Sequence, residues 1–238
     1  MNLPGNELNK EKIVNFYDNF KNHQKKLGIN IRHRTILKKL KKCGLKRDSK
    51  VLEIGCGIGT VSHLILKSID RGKFVGVDIS PQSIEMAKKF NSKFQQSKFV
   101  VSDMRDFSSD LKFDFIVLPD VLEHIPIDQH ADLFQTISRV STENAIIVIN
   151  IPEPYTLDWT RRNAPEKLQI LDQSLSALDL CNHAYAVGYY LYSLTPYGLQ
   201  FKHEEYLSIV FKKVRNREFV IRNSKMKLFI DNLISKIW

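Results

Sequence analysis

A chain of 238 residues, 43% hydrophobic and 10% aromatic, is long enough to bury the core of one α/β domain with additions and too apolar to stay unfolded. No apolar run approaches the roughly 18 residues that span a bilayer. The polar start MNLPGNELNKEK lacks the apolar stretch of a secretory signal, so a cytoplasmic protein without a membrane span is expected. The formal net charge is +10 and unevenly spread, with fourteen Lys or Arg against three acids (Glu11, Asp18, Asp48) from Lys10 to Lys50, a bias that attracts anions or solubilises helix faces.

In chain order, the spacing of Ile13, Phe16, Tyr17 and Phe20, then of Ile36, Leu37 and Leu40 after a break near Gly28, predicts two basic helices between Glu7 and Cys43. From Lys50 compact apolar runs alternate with amphipathic ones. KVLEIG, KFVGVD, KFVVSD, FDFIVLPD and NAIIVINI read as five buried strands, with helices at about Thr60 to Ile69, Pro81 to Phe90 and Asp128 to Val140 between them. This βαβ order predicts a doubly wound, mostly parallel sheet with helices on both faces. After Ile151, prolines and the helical spacing of Leu168, Leu171, Leu175 and Leu178 predict an inserted helical cap. A short helix ending near Gly198 should follow, and then LQFKHEEYLSIVFKKV as an antiparallel edge pair that completes seven strands. The tail SKMKLFIDNLISKIW carries an apolar helical stripe flanked by lysines, which suits core packing, a dimer contact or a membrane surface. The implied division is an N-terminal helical extension over 1–49, a main domain over 50–214 with the cap at 152–186, and an amphipathic helix over 215–238.

Cys43, Cys56 and Cys181 lie far apart without a CxxC pair, so free thiols and no metal site are expected. The stretch VLEIGCGIGTVS sets Gly55, Gly57 and Gly59 behind a strand and ahead of a helix, where backbone N–H groups point into the crevice of an open α/β sheet. Asp78, 21 residues beyond Gly57 at the end of the second strand, is in register for ribose hydroxyls, so a nucleoside is the expected ligand. A tight turn without a ligand is the plainer alternative. The GxGxG spacing departs from the GxGxxG of dinucleotide enzymes and lacks a P-loop lysine, which argues against a dehydrogenase and against ATP hydrolysis.

With Glu53 ahead of it, the loop resembles the first motif of class I S-adenosylmethionine-dependent methyltransferases. SDMRDF with Asp103 and LPDVLEHI with Asp120 extend the resemblance across two further strands, and DVLEHI looks like the small-molecule branch that includes ubiquinone-biosynthesis O-methyltransferases. The resemblance covers about Tyr17 to Val214 and implies S-adenosylmethionine as cofactor. By resemblance, Gly55 and Gly57 line the methionine portion, Asp78 holds the ribose, Ile79 packs on adenine, Asp103 and the Met104 backbone read the adenine edge, and Tyr17 forms an aromatic lid. Glu53, Cys56, Gly59, Ser102, Asp120 and Val121 complete the expected cofactor set. Any one of these carboxylates also reads as a cap or a surface acid at a strand end.

Methyl transfer is an in-line displacement that rests mainly on positioning, and a hydroxyl acceptor gains from a base within reach. His124 is the candidate base, with Glu123 beside it. A structural histidine before Pro126 is the competing reading. Acceptor recognition is assigned to the insertion, where Tyr155, Trp159, Arg161, Arg162 and Tyr189 supply rings and paired cations, although aromatics at helical spacing also serve packing. The expected activity is O-methylation of a small-molecule or glycan-like acceptor, anionic in one form of the reading, by a monomer or homodimer. An RNA or protein methyltransferase is the second reading, motivated by the basic helices but without an RNA-binding module or an NPPY-type motif. A non-catalytic S-adenosylmethionine-binding subunit is the third.

Overall fold

The computed structural model describes residues 10–213 together with Met226, Lys227 and Ile234. Two helices, α1 (Lys10–Leu27) and α2 (Ile31–Lys42), precede β1 (Lys50–Ile54), α3 (Thr60–Leu66), β2 (Lys73–Asp78), α4 (Pro81–Phe90), β3 (Ser97–Val101) and β4 (Phe113–Pro119). Two short 3-10 turns lead into α5 (His130–Val140) and β5 (Ser141–Pro152). The cap helices α6 (Pro154–Asn163) and α7 (Ala177–Ala186) follow, and β6 (Tyr189–Tyr197) and β7 (Tyr206–Lys213) close the sheet.

The seven strands lie in the order β3-β2-β1-β4-β5-β7-β6. The first five pair in parallel and β7 runs antiparallel to both β5 and β6. Strand order reverses beside β1, which opens a crevice at the carboxyl ends of β1 and β4. Alternation along the strands divides the core: Val51, Phe74, Phe115 and Val148 face α2, α3 and α4, while Leu52, Val75, Ile116 and Ile147 face α5 and α7. Both faces are covered, which is why these strands read as continuous apolar runs rather than alternating ones.

The chain departs from its sequence pattern in two places. In place of a helix ending near Gly198, residues 189–197 form β6, and the antiparallel pair is β6 with β7. LQF is not a strand because the Glu205 carboxylate accepts the backbone N–H groups of Leu199, Gln200 and Phe201 at 3.1, 2.9 and 3.3 Å, tying the segment into a turn. Nor is the leucine spacing at 168–175 helical. Gln173 donates its N–H to the Glu123 carbonyl at 3.0 Å, in the segment after β4, and Gln169 its N–H to the side-chain Oδ2 of Asp172 at 2.6 Å, so these groups are not available to a helical ladder. The amphipathic tail expected over 215–238 lies outside the described residues apart from Met226, Lys227 and Ile234. Met226 and Ile234 are exposed.

Candidate functional site

The glycine turn is built by the backbone conformations it needs. Gly55, Gly57 and Gly59 have φ of +70°, +52° and +83°, which L side chains rarely adopt. A Cβ on Gly55 would stand 2.4 Å from Val121 Cγ2, and one on Gly59 2.5 Å from Asn91 Nδ2. The turn is held from β2: Asp78 accepts the Gly57 N–H at 2.8 Å and the Ser80 N–H at 2.9 Å, and Cys56 donates its N–H to the Val77 carbonyl at 2.9 Å. Burial pushes the Asp78 carboxyl up and Asp18 adds to the rise, while the Ser80 and Gly57 N–H bonds pull against them.

Glu53 sits behind this turn, fully buried. Its Oε2 accepts from Ser62 Oγ at 2.7 Å, whereas Oε1 has no hydrogen-bond partner among the described residues. Burial, reinforced by Asp78, pushes its carboxyl up to about 8 against the pull of Ser62. The buried Cys56 thiol is raised well above its ordinary range by the same desolvation and stays neutral, which fits packing rather than nucleophilic chemistry.

Further along the sheet edge, Asp120 follows β4 with a φ of +54°. That strain is held by partners on three sides. Its backbone N–H reaches the Asn150 carbonyl at 2.8 Å, its Oδ1 accepts from Asn150 Nδ2 at 2.6 Å, and its Oδ2 pairs with Arg32 Nε at 3.1 Å. Arg32 Nη1 donates to Tyr206 Oη at 3.2 Å, so α2 is tied to the ends of β4, β5 and β7.

Helix α1 covers the crevice. Lys10, Ile13, Tyr17, Phe20 and Gln24 recur at steps of three and four, form one helix face, and all line a cavity of about 450 Å3. Asp18, on the flank of that face, clamps α1 to the start of α4 by accepting from Gln82 Nε2 at 3.1 Å, and Lys10 pairs with Asp103 at 2.5 Å. The hydroxyl of Tyr17 and Oε1 of Gln24 are buried without hydrogen-bond partners among the described residues. Burial, with Glu123 and Asp172 nearby, drives the Tyr17 phenol far above its usual range.

Of the residues expected to hold a cofactor, Tyr17, Glu53, Gly55, Cys56, Asp78, Ile79, Ser102, Asp103, Met104, Asp120 and Val121 line this one cavity, and Gly57 and Gly59 shape the turn behind it. His124 lines it too, with both ring nitrogens near protein oxygens. Its Nδ1 lies 2.6 Å from the Leu171 carbonyl and 3.1 Å from Asp172 Oδ1, and its Nε2 3.8 Å from Glu123 Oε1. Desolvation lowers its pKa, but Glu123 and Asp172 together outweigh that and carry it up to about 9. The acids around it thus favour the protonated ring, and Nδ1, the better-placed nitrogen, is already engaged by the Leu171 carbonyl. Glu123 is buried beside it, its carboxyl pushed up to about 8 by desolvation, with His124 pulling it down.

The expected acceptor residues do not reach the cavity. Tyr155 and Trp159 stand exposed on α6. The Arg161 guanidinium is consumed inside the cap, on Asp158 at 2.5 Å and the Asp172 carbonyl at 2.8 Å, and Arg162 Nε bonds the Asp158 carbonyl at 3.2 Å. Tyr189 is fully buried in the core on β6. The cap contributes Lys167 and Gln169 to the cavity instead, and α2 contributes Arg32. For Lys167, Gln169 and Arg32 the sequence carries no signal, because only the tertiary fold brings them over the crevice. For Ile13, Phe20 and Gln24 the helical stripe was visible, but not what it would cover. Among the described residues no group of three His, Cys, Asp or Glu side chains assembles a metal site.

Comparison with known proteins agrees with this architecture. A family model described as "Methyltransferase domain" matches residues 45–196. Nodulation protein S of Bradyrhizobium diazoefficiens is 24% identical over 134 residues, 55% of this chain and 63% of that protein. Malonyl-acyl-carrier-protein O-methyltransferase 1 of Ilyobacter polytropus is 36% identical over 31% of this chain and 27% of its own length. Trans-aconitate 2-methyltransferase of an Enterobacter species is 29% identical over 48% and 43%. The chain thus spans less than two thirds of each of these curated relatives. Among solved structures, magnesium protoporphyrin IX methyltransferase from Synechocystis with bound S-adenosylhomocysteine superposes with a TM-score of 0.69 at 13% identity, over 87% of this chain and all of that one. A Burkholderia thailandensis 1,6-didemethyltoxoflavin N1-methyltransferase gives 0.68 at 13% identity, over 90% and 94%. At such identities the likeness is one of fold, and the acceptors named are diverse, so the ubiquinone-biosynthesis branch is not singled out. The glycine turn held by Asp78, the seven-stranded sheet with its reversed β7 and the matched domain lead to one assignment: the chain belongs to the methyltransferase-domain family and has the class I, Rossmann-like methyltransferase fold.

Proposed function

We propose that this protein transfers a methyl group from S-adenosylmethionine to a small anionic acceptor and that the receiving atom is a carboxylate oxygen. The observation that carries the cofactor reading is convergence. Gly55 at the head of the glycine turn, the Asp78 carboxylate and the unpartnered Glu53 Oε1 meet at a cavity of about 450 Å3, within the ~300–1,000 Å3 usual for small-molecule sites. These groups fit a nucleoside with a cationic amino-acid arm: Asp78 has lone pairs left for ribose hydroxyls, and Glu53 offers a buried acceptor. Bound there, S-adenosylmethionine supplies a methyl group on a sulfonium whose displacement leaves a neutral thioether. The chain's own residues then bind, orient and exclude water, with Tyr17 and Phe20 closing the cavity from α1.

The state of His124 supports the acceptor reading. A ring whose neighbours Glu123 and Asp172 favour its protonated form, with Nδ1 held by the Leu171 carbonyl, is better suited to holding an anion than to deprotonating a hydroxyl, and a carboxylate already presents its lone pair at neutral pH without a base. Lys167 and Arg105 add positive charge to the same lining. Two relatives bear names that contain carboxylic acids, malonyl and trans-aconitate. The test is transfer of labelled methyl from S-adenosylmethionine to pooled carboxylic-acid metabolites of a bacterial extract, followed by mild alkali. A methyl ester releases its label as volatile methanol. Label that withstands alkali would mean an ether or amine product and would end the carboxylate reading. Absence of both transfer and S-adenosylhomocysteine binding would end the methyltransferase reading itself.

A further inference from the structure

We infer that the elbow between α1 and α2 seats the mouth of the cavity on an anionic lipid surface. Between Asp18 and Asp48 the sequence holds eleven Lys or Arg and no acid. The fold bends this stretch sharply at Gly28, with a φ of +56°, and caps α2 through Asn30, whose Oδ1 accepts the His33 N–H at 3.2 Å. At the bend two large aliphatics point outward, Leu27 at 56% exposure and Ile31 at 63%, among the exposed cations Lys25, Lys26 and Arg34. Exposed aliphatic side chains ringed by ammonium and guanidinium groups have the chemistry of an interfacial membrane contact: the chains enter the acyl boundary while the cations meet phosphate headgroups.

The position of the elbow gives that contact a purpose. Leu27, Gly28 and Asn30 belong to the cavity lining, and Ile127, 43% exposed, stands beside the lining residues Pro126 and Gln129. The apolar prong and the cavity wall therefore share Leu27 and the bend at Gly28 and Asn30. Among the described residues no helix is long and apolar enough to cross a membrane, so the contact lies in the interface plane. Charge alone would suit RNA equally, but a nucleic-acid backbone gains nothing from two protruding aliphatics, and the elbow residues from Leu27 to Ile31 include no aromatic ring on which a base could stack. Resting on the reading above, the further consequence is that the acceptor reaches the cavity from the bilayer, as an amphiphile with an anionic head.

Flotation of the purified full chain with vesicles tests this. Binding is expected to phosphatidylcholine vesicles containing about one third phosphatidylglycerol, and not to phosphatidylcholine alone. Lys25→Glu with Lys26→Glu should weaken it by tenfold or more, through reversal of two charges at the surface. Ile31→Ser should weaken it by about tenfold, the value of one buried aliphatic side chain. Equal binding to neutral vesicles, no effect of Ile31→Ser, or tighter binding to a single-stranded RNA homopolymer than to the anionic vesicles would overturn the inference. Calorimetric titration of the same samples with S-adenosylhomocysteine separates the two readings. Lost vesicle binding with intact nucleoside affinity removes only the membrane contact, whereas absent nucleoside affinity removes the methyltransferase reading beneath it.

Discussion

Asp78 carries two loads: its oxygens fix the glycine turn through the Gly57 and Ser80 N–H groups, and their remaining lone pairs face the cavity. Asp78→Ala should therefore weaken S-adenosylhomocysteine binding by about 1–3 kcal/mol, the cost of a lost buried acceptor; unchanged affinity by calorimetry would remove it from the site. Gly55→Ala should destabilise the fold by about 2 kcal/mol or more, because the new Cβ meets Val121 and the φ of +70° strains any L side chain. Urea unfolding measures this, and pairing the change with Val121→Ala should recover only the steric part. The buried Glu53 supplies a pH signature. Its folded pKa, about 8, exceeds the ordinary 4.5, so the folded state holds a proton the unfolded state has released, and stability falls as pH rises through that window. The slope from one such group is at most about 1.4 kcal/mol per pH unit. Glu123 and His124 are shifted upward too and lean the same way. In Glu53→Gln the decline between pH 5 and pH 8 should be shallower by one group's share, and an unaltered profile in urea titrations would contradict the buried acid.

Among the elements, α2 is more than a basic extension. Arg32 links it to Asp120 and Tyr206, and Ile36 and Leu40 bury it against α3. Arg32→Ala should cost about 1.5–3 kcal/mol, since it leaves the Asp120 carboxylate unpaired in a strained backbone. Faster amide exchange in α2 with α5 unchanged would locate the loss, and wild-type stability would show the pair to be idle. Sequence periodicity identified α2, α4 and α5 because each has one apolar face and a sharp end, as at Pro81 after the Ser80 cap. It failed at 168–175 and at 199–201 for one reason. In both segments backbone N–H groups are taken by partners that an apolar period does not encode: the Glu123 carbonyl far back in the chain, and the Glu205 carboxylate, which closes a local turn.

For the whole molecule, a ligand that binds only the folded state stabilises it by mass action. S-adenosylhomocysteine at about a hundred times its dissociation constant should add about 2.7 kcal/mol. For a chain of this size that raises the melting temperature by roughly 5–10 °C, with no comparable shift from NADH, and scanning fluorimetry reads both. The five parallel strands, their order of appearance and the crevice acids were legible because buried parallel strands need continuous apolar runs, and a tight strand-to-helix turn needs glycines at fixed steps, whereas β6 was not. That much the amino-acid order determined by itself. Which side chains face the crevice was decided only by the tertiary fold. It packed the stripe from Lys10 to Gln24 over the glycine turn, drew Arg32 onto Asp120, spent Arg161 inside the cap and sank Tyr189 in the core. The physical reason is that the local period of a helix fixes which residues share a face, whereas the partner of that face is chosen by long-range packing and charge pairing, which no short window of sequence contains.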